Sequence, residues 1–106
     1  MLRREIPHHE QAGRVIRLSR SMLAPAPLSG SDELTPLQPF QPWTEQMQPL
    51  CYWDDEPVAL LVESQAESSW IDGRQWMSEL STAWFSLLST ALQVGAWLEN
   101  HRFCGR

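Results

Sequence analysis

The sequence predicts an α+β fold: a small, mainly antiparallel sheet packed by a short helix and a long C-terminal helix. Three observations carry that reading. Runs rich in β-branched and aromatic residues precede position 63, helical periodicity begins only after position 70, and the two do not alternate as they would in a doubly wound α/β protein. A chain of 106 residues with 42% hydrophobic content suits one domain with a single modest core.

Residues 1–12 are polar and aperiodic, the pattern of a flexible N-terminal arm. They hold His8-His9-Glu10, but adjacent histidines point apart on any regular backbone, so the arm is not expected to bind metal. Arg14-Val15-Ile16-Arg17-Leu18 alternates charged and apolar residues, as in a short strand whose arginines face water. Residues 24–49 contain six of the eight prolines. Proline lacks the N–H donor and disfavours helix just before itself, so this stretch reads as loop with brief extended pieces. Leu34, Leu37, Phe40, Trp43 and Met47 make it too apolar for a free linker, and it is expected to wrap over the sheet.

Residues 50–53 and 58–62 form the clearest hairpin, joined by the turn chemistry of Asp54-Asp55-Glu56. Val58, Leu60 and Val62 alternate with Ala59 and Leu61, so the second strand is apolar on both faces and belongs at the centre of the sheet. Pro57 suits its start, where no ladder donor is lost. After a polar loop, Asp72 stands as an N-cap with Gln75 at capping-box spacing, opening a short helix that ends near Leu80. Trp84, Leu87, Leu88, Ala91, Leu92, Gly95 and Leu98 then recur at three- and four-residue steps, the buried face of one long helix from Thr82 to His101, capped by Ser81 or Thr82. Such a helix is about 30 Å long, enough for the rest of the domain to pack against it. Trp84 and Trp97 are thirteen residues apart and fall on different sides of it, which leaves Trp97 for a partner surface.

Charge excludes one class of function. Net charge is −5, every basic residue is Arg, and between Met22 and His101 Arg74 alone faces eleven acidic residues. That is not the clustered positive face that nucleic acid needs, so no direct nucleic-acid binding is expected. No apolar run approaches the length of a membrane helix, and the expected setting is the cytoplasm, with both cysteines reduced. Three consecutive acidic side chains diverge, so Asp54-Asp55-Glu56 reads as a solvated turn rather than a Mg²⁺ or Ca²⁺ site. Cys104 with His101 lacks an oxyanion hole and an orienting acid, which disfavours a nucleophile–base pair. The six tryptophans read as core and interface packing, because no positive groove runs beside them.

Two stretches carry a family resemblance. The helix that runs into His101-Arg102-Phe103-Cys104-Gly105-Arg106 resembles the junction between the N-terminal domain and the four-cysteine zinc ribbon of bacterial NADH pyrophosphatases of the Nudix hydrolase superfamily. The run Tyr52-Trp53-Asp54-Asp55-Glu56-Pro57-Val58-Ala59-Leu60-Leu61-Val62 is similar to that family's hairpin, a tryptophan strand, a turn and an E-P-V-x-L-V strand. Together with residues 70–104 the resemblance covers roughly half the chain. The family commonly has glycine where this chain has Asp55, so a longer turn or one of another type is expected here.

The resemblance implies a rudimentary Nudix-like domain over residues 13–103, with 104–106 opening a zinc ribbon and Cys104 as its first zinc ligand. It implies a parent enzyme that cleaves the pyrophosphate of NAD(H), in some members removes NAD caps from RNA, and uses Mg²⁺ or Mn²⁺ held by glutamates of a G-x5-E-x7-R-E-x-x-E-E-x-G segment. No such segment occurs here: Arg-Glu is found only at Arg4-Glu5, and Glu99 is alone on the long helix. The chain would then be a non-catalytic scaffold or dimerisation module whose partners are its own zinc-ribbon and Nudix domains and a second copy. The competing reading is a complete, stand-alone protein-interaction module with a coincidental Cys-Gly at its end.

Overall fold

The computed structural model describes residues 2–3, 12–27 and 33–104, with side chains described for 12–27 and 33–99. Nine strands precede or flank two helices: β1 (Leu2–Arg3), β2 (Ala12–Ser19), β3 (Met22–Leu23), β4 (Ala26–Pro27), β5 (Leu34–Thr35), β6 (Gln38–Pro42), β7 (Gln48–Trp53), β8 (Glu56–Val62), β9 (Ile71–Asp72), α1 (Gly73–Glu79) and α2 (Phe85–Cys104). The main sheet runs β1-β7-β8-β2-β3-β9, with β6 also pairing β2; β4 and β5 form a separate ribbon. All its pairings are antiparallel except the central one, where β2 and β8 run parallel in the register Ile16↔Leu60 and Leu18↔Val62. The fold is thus the expected α+β one, with an apolar central strand at β8.

The two tight hairpins of the sheet share one solution. Trp53 pairs Glu56 across Asp54-Asp55, and Ser19 pairs Met22 across Arg20-Ser21. All four turn residues have positive φ, 52° and 65° in the first turn and 54° and 83° in the second. A two-residue loop with both centres left-handed is the type I′ geometry that matches strand twist. The turn after Trp53 is therefore shorter than Asp55 suggested, and Glu56 belongs to the strand. Aspartate accepts the left-handed region more readily than most residues, which lets this hairpin close without glycine.

The long helix departs from expectation at its start. Ser81 makes no side-chain cap; its carbonyl instead accepts the Trp84 N–H in a 3₁₀ turn over Thr82–Trp84, and α2 begins at Phe85. It continues through Cys104, past the boundary expected at 103/104. The buried face is the predicted one: Leu87, Leu88, Ala91 and Gly95 are buried, Trp84, Leu92 and Leu98 are half-buried against the core. Trp84 also meets Trp53 of β7 with ring centroids 5.5 Å apart, tilted by 40°. Gly95 permits the closest approach, since a Cβ there would collide with the Leu18 side chain and touch Leu60. Helix and parallel strand pair are thereby brought together without a spacer.

For α1, the Asp72 carboxylate accepts the Arg74 N–H at 2.8 Å, so the predicted N-cap forms. The reciprocal half of the capping box does not, because the Gln75 side chain donates to Glu79 one turn ahead. Trp76 anchors α1 in the core, fully buried, with its indole N–H donated to the Leu23 carbonyl.

The proline-rich stretch is more ordered than a loop. β6 pairs β2 antiparallel, with its two prolines on an edge strand where a missing donor is tolerated. Leu37 enters the core, while Leu34 and Phe40 stay exposed. Of the segment read as a flexible arm, Leu2–Arg3 pair β7 opposite Trp53 and Tyr52, and Ala12 opens β2. His8, His9 and Glu10 lie outside the described residues.

Candidate functional site

β2 is paired along both edges, and its arginines, with side chains 17% and 35% exposed, are held in ion pairs and not simply solvated as the alternation suggested. Arg17 donates to both oxygens of Glu63 at 2.5 and 3.1 Å, lies 3.9 Å from Glu67, and stacks 5.3 Å from the centre of the Trp70 ring. The hydrogen bond from Arg17 to Glu63, followed by the charges of Glu63 and Glu67, holds the guanidinium above its ordinary pKa despite burial. Arg14 reaches Glu56 at 3.4 Å and the Gln38 carbonyl at 3.5 Å. These pairs tie the start of the polar loop after β8, and β6, to the centre of the sheet. They act as crosslinks within the sheet.

The acidic turn does not converge on a point. Glu56 turns back toward Arg14, whereas Asp54 and Asp55 sit at the exposed tip with left-handed backbones. Among the described residues no three His, Cys, Asp or Glu side chains come together in a way that could hold a metal ion. Cys51 is buried in β7, and burial pushes its thiol up from 9.0 to about 11. A thiol so desolvated is protonated at neutral pH, neither a nucleophile nor a metal ligand. Cys104 ends α2, with its side chain, like those of His101 and Arg102, outside the described residues. The described residues thus offer no set of ligands that fits a tetrahedral zinc.

The surface also carries grooves and an apolar face. One groove, of about 570 Å³, lies where β8 runs past the start of β7, lined by Gln46, Gln48, Val62, Glu63 and, from α2, Leu98. A second, of about 350 Å³, lies between the Arg20-Ser21 turn, the start of α1 and the flank of α2. The apolar face is the outward side of α2, where Phe85 and Trp97 are 56% and 60% exposed and Ser86, Gln93 and Ala96 add no charge. Trp97 points away from the core, as its helical spacing from Trp84 required. Among the described residues no helix is long and apolar enough to cross a membrane.

The class defined by these features is an α+β domain whose sheet is backed by one long helix. Comparison with known proteins gives it relatives. Over 58 residues, 51% of this chain, it is 43% identical to the NAD-capped RNA hydrolase NudC of Pseudomonas syringae pv. tomato (strain DC3000) and 41% identical to that of Pseudomonas syringae pv. syringae (strain B728a). It is 39% identical over 62 residues, 55% of the chain, to the enzyme of the same name from Stutzerimonas stutzeri (strain A1501). The matched stretch spans 21 to 22% of the length of these relatives. No family model matches the chain, and no solved structure matches it. The similarity and the fold fit an N-terminal NudC-like domain.

Proposed function

We propose that this chain is the non-catalytic N-terminal domain of a longer NudC-type hydrolase, a scaffold and dimerisation module for an enzyme that cleaves the pyrophosphate bond of NAD(H) and of NAD-capped RNA. The observation that carries the reading is the 39 to 43% identity to three NudC enzymes, over a stretch that is only about a fifth of each. The chemistry of the described residues supports it. Nudix-type hydrolysis needs carboxylates that converge on divalent metal to offset developing charge and activate water. Among the described residues, acids are spent on Arg14 and Arg17, on the α1 cap and on the Arg20 backbone N–H, and Asp54 and Asp55 stand at the exposed tip of a turn. In this reading Cys104 is the first zinc ligand of a ribbon that continues past residue 106, and Mg²⁺ or Mn²⁺ is held by a later Nudix helix. The partners of the domain are then that ribbon, that catalytic domain and a second copy, in the cytoplasm. The uncharged outward side of α2, with Phe85 and Trp97, suits such contacts.

The coding sequence beyond Arg106 tests the proposal. A second cysteine completing C-x-x-C at once, followed further on by a glutamate-rich Nudix segment, is the expected result. A stop codon directly after Arg106 would overturn it in favour of a stand-alone interaction module.

A further inference from the structure

The described side chains include four arginines, at positions 14, 17, 20 and 74. Arg14 and Arg17 are consumed in ion pairs within the sheet. Arg20 and Arg74 are 54 positions apart in sequence, yet both line the 350 Å³ cleft. Neither guanidinium has an ion pair or hydrogen bond among the described residues, so both described arginines that are not committed within the sheet border the same cleft, Arg20 also lining a neighbouring depression of about 440 Å³ beside Ser64, Gln65 and Ala66. Two carboxylates share the cleft, and each is already engaged. Asp72 accepts the Arg74 backbone N–H at 2.8 Å, and Glu99 accepts the Arg20 backbone N–H at 3.0 Å. The apolar part of the lining is buried Leu18 from β2 and half-buried Leu92, with exposed Ala96 at the edge, Leu92, Ala96 and Glu99 falling at helical spacing on α2.

From this arrangement we infer that the cleft is a binding site for a small organic anion, a carboxylate or phosphate monoester head carried on a compact apolar body. A guanidinium presents a planar fork of donors that matches either oxyanion. The volume falls in the range of small-molecule sites, and Leu18, Leu92 and Ala96 give the body a surface to rest on. Two cations against two carboxylates leave the rim near neutral, which disfavours polyanions such as nucleic acid, so recognition of a small head rests on the guanidinium donors and not on net charge. The site lies wholly within this chain and stands or falls independently of any downstream hydrolase domain.

Amide NMR of the 106-residue chain tests it, with phenyl phosphate and benzoate as probes and benzyl alcohol as the neutral control. The expected result is saturable shifts for at least one anion, confined to the amides of Arg20, Ser21, Gly73, Arg74 and residues 92–99, and none for the alcohol. Binding by one anion and not the other identifies the head group. The Arg20→Gln/Arg74→Gln double variant should bind on the order of tenfold or more weakly. Arg74→Gln alone, at an exposed position, supplies the comparison if the double variant loses its dispersed spectrum. No saturation with either anion by about 10 mM, equal shifts with benzyl alcohol, or unchanged affinity in the variants would overturn the assignment.

Discussion

The central strand pair, β2 and β8, has two faces that are held by different forces. On one, Ile16, Leu18, Val58 and Leu60 are fully buried under α2, and contact is so close that Gly95 has no room for a side chain. On the other, Val15 and Ala59 are equally dry, but the next positions along are Arg17, Leu61 and Glu63, closed over by Trp70. The helix-covered face is closed by shape, and the opposite face by charge-assisted hydrogen bonds across a partly exposed rim. A packed contact takes an added atom only by displacing a buried side chain, here that of Leu18, whereas a rim ion pair exchanges with water at small cost. The helix-covered face should therefore carry most of the stability.

The largest effect is expected at Gly95. Its replacement by Val forces the side chain into Leu18 and should destabilise the fold by about 3 kcal/mol, lowering the melting temperature on the order of 15 °C. Thermal unfolding by circular dichroism measures it, and a drop of less than a few degrees would show that α2 can move off the sheet cheaply.

Next in size is a pH effect on the same core. The folded-state pKa of Cys51, about 11, lies above its ordinary value of 9.0, so its contribution to stability is fully present below pH 9 and is lost as pH rises toward and through 11. The loss by pH 11 should be about 2 kcal/mol. Urea unfolding of the parent and of Cys51→Val between pH 8 and 11 checks this, because the variant should lack that part of the slope.

On the charged face the expected effect is smallest. With Arg17 and Glu63 side chains 35% and 26% exposed, a double-mutant cycle of Arg17→Ala and Glu63→Ala should give a coupling of roughly 1 kcal/mol or less, shrinking with salt. A coupling comparable to the Gly95→Val loss would erase the contrast between the faces.

The same contrast explains what was legible in the sequence. The seven helix positions from Trp84 to Leu98 announce their face because a helix packed on one side repeats its apolar residues every three or four positions. The hairpin is equally plain in its β-rich strands, though not in its turn, because two aspartates at positive φ carry no glycine to mark them. The solvation of Arg14 and Arg17 is not legible from their spacing: three positions apart in a strand, they lie on opposite faces of β2, Arg14 meeting Glu56 and Gln38 and Arg17 meeting Glu63 and Trp70, all distant in sequence. Nothing local to Gly13 reveals that Trp43 and Pro57 close against it. The cleft was invisible for the same reason: Arg20 reads as the end of a basic N-terminal segment and Arg74 as an isolated helix residue, and only the fold makes them neighbours. Cys104 stood out through resemblance alone, and its side chain lies outside the described residues.

The central claim is that this domain supplies a scaffold and no chemistry of its own. Incubating the 106-residue chain with NADH and with NAD-capped RNA, in Mg²⁺ and in Mn²⁺, and following release of the mononucleotides tests it most directly, with a NudC enzyme as the positive control. No turnover above the metal-only background is expected for either substrate. Turnover that is lost when Asp54, Asp55 and Glu56 are replaced together by Asn, Asn and Gln would contradict the account and make the acidic turn the active site.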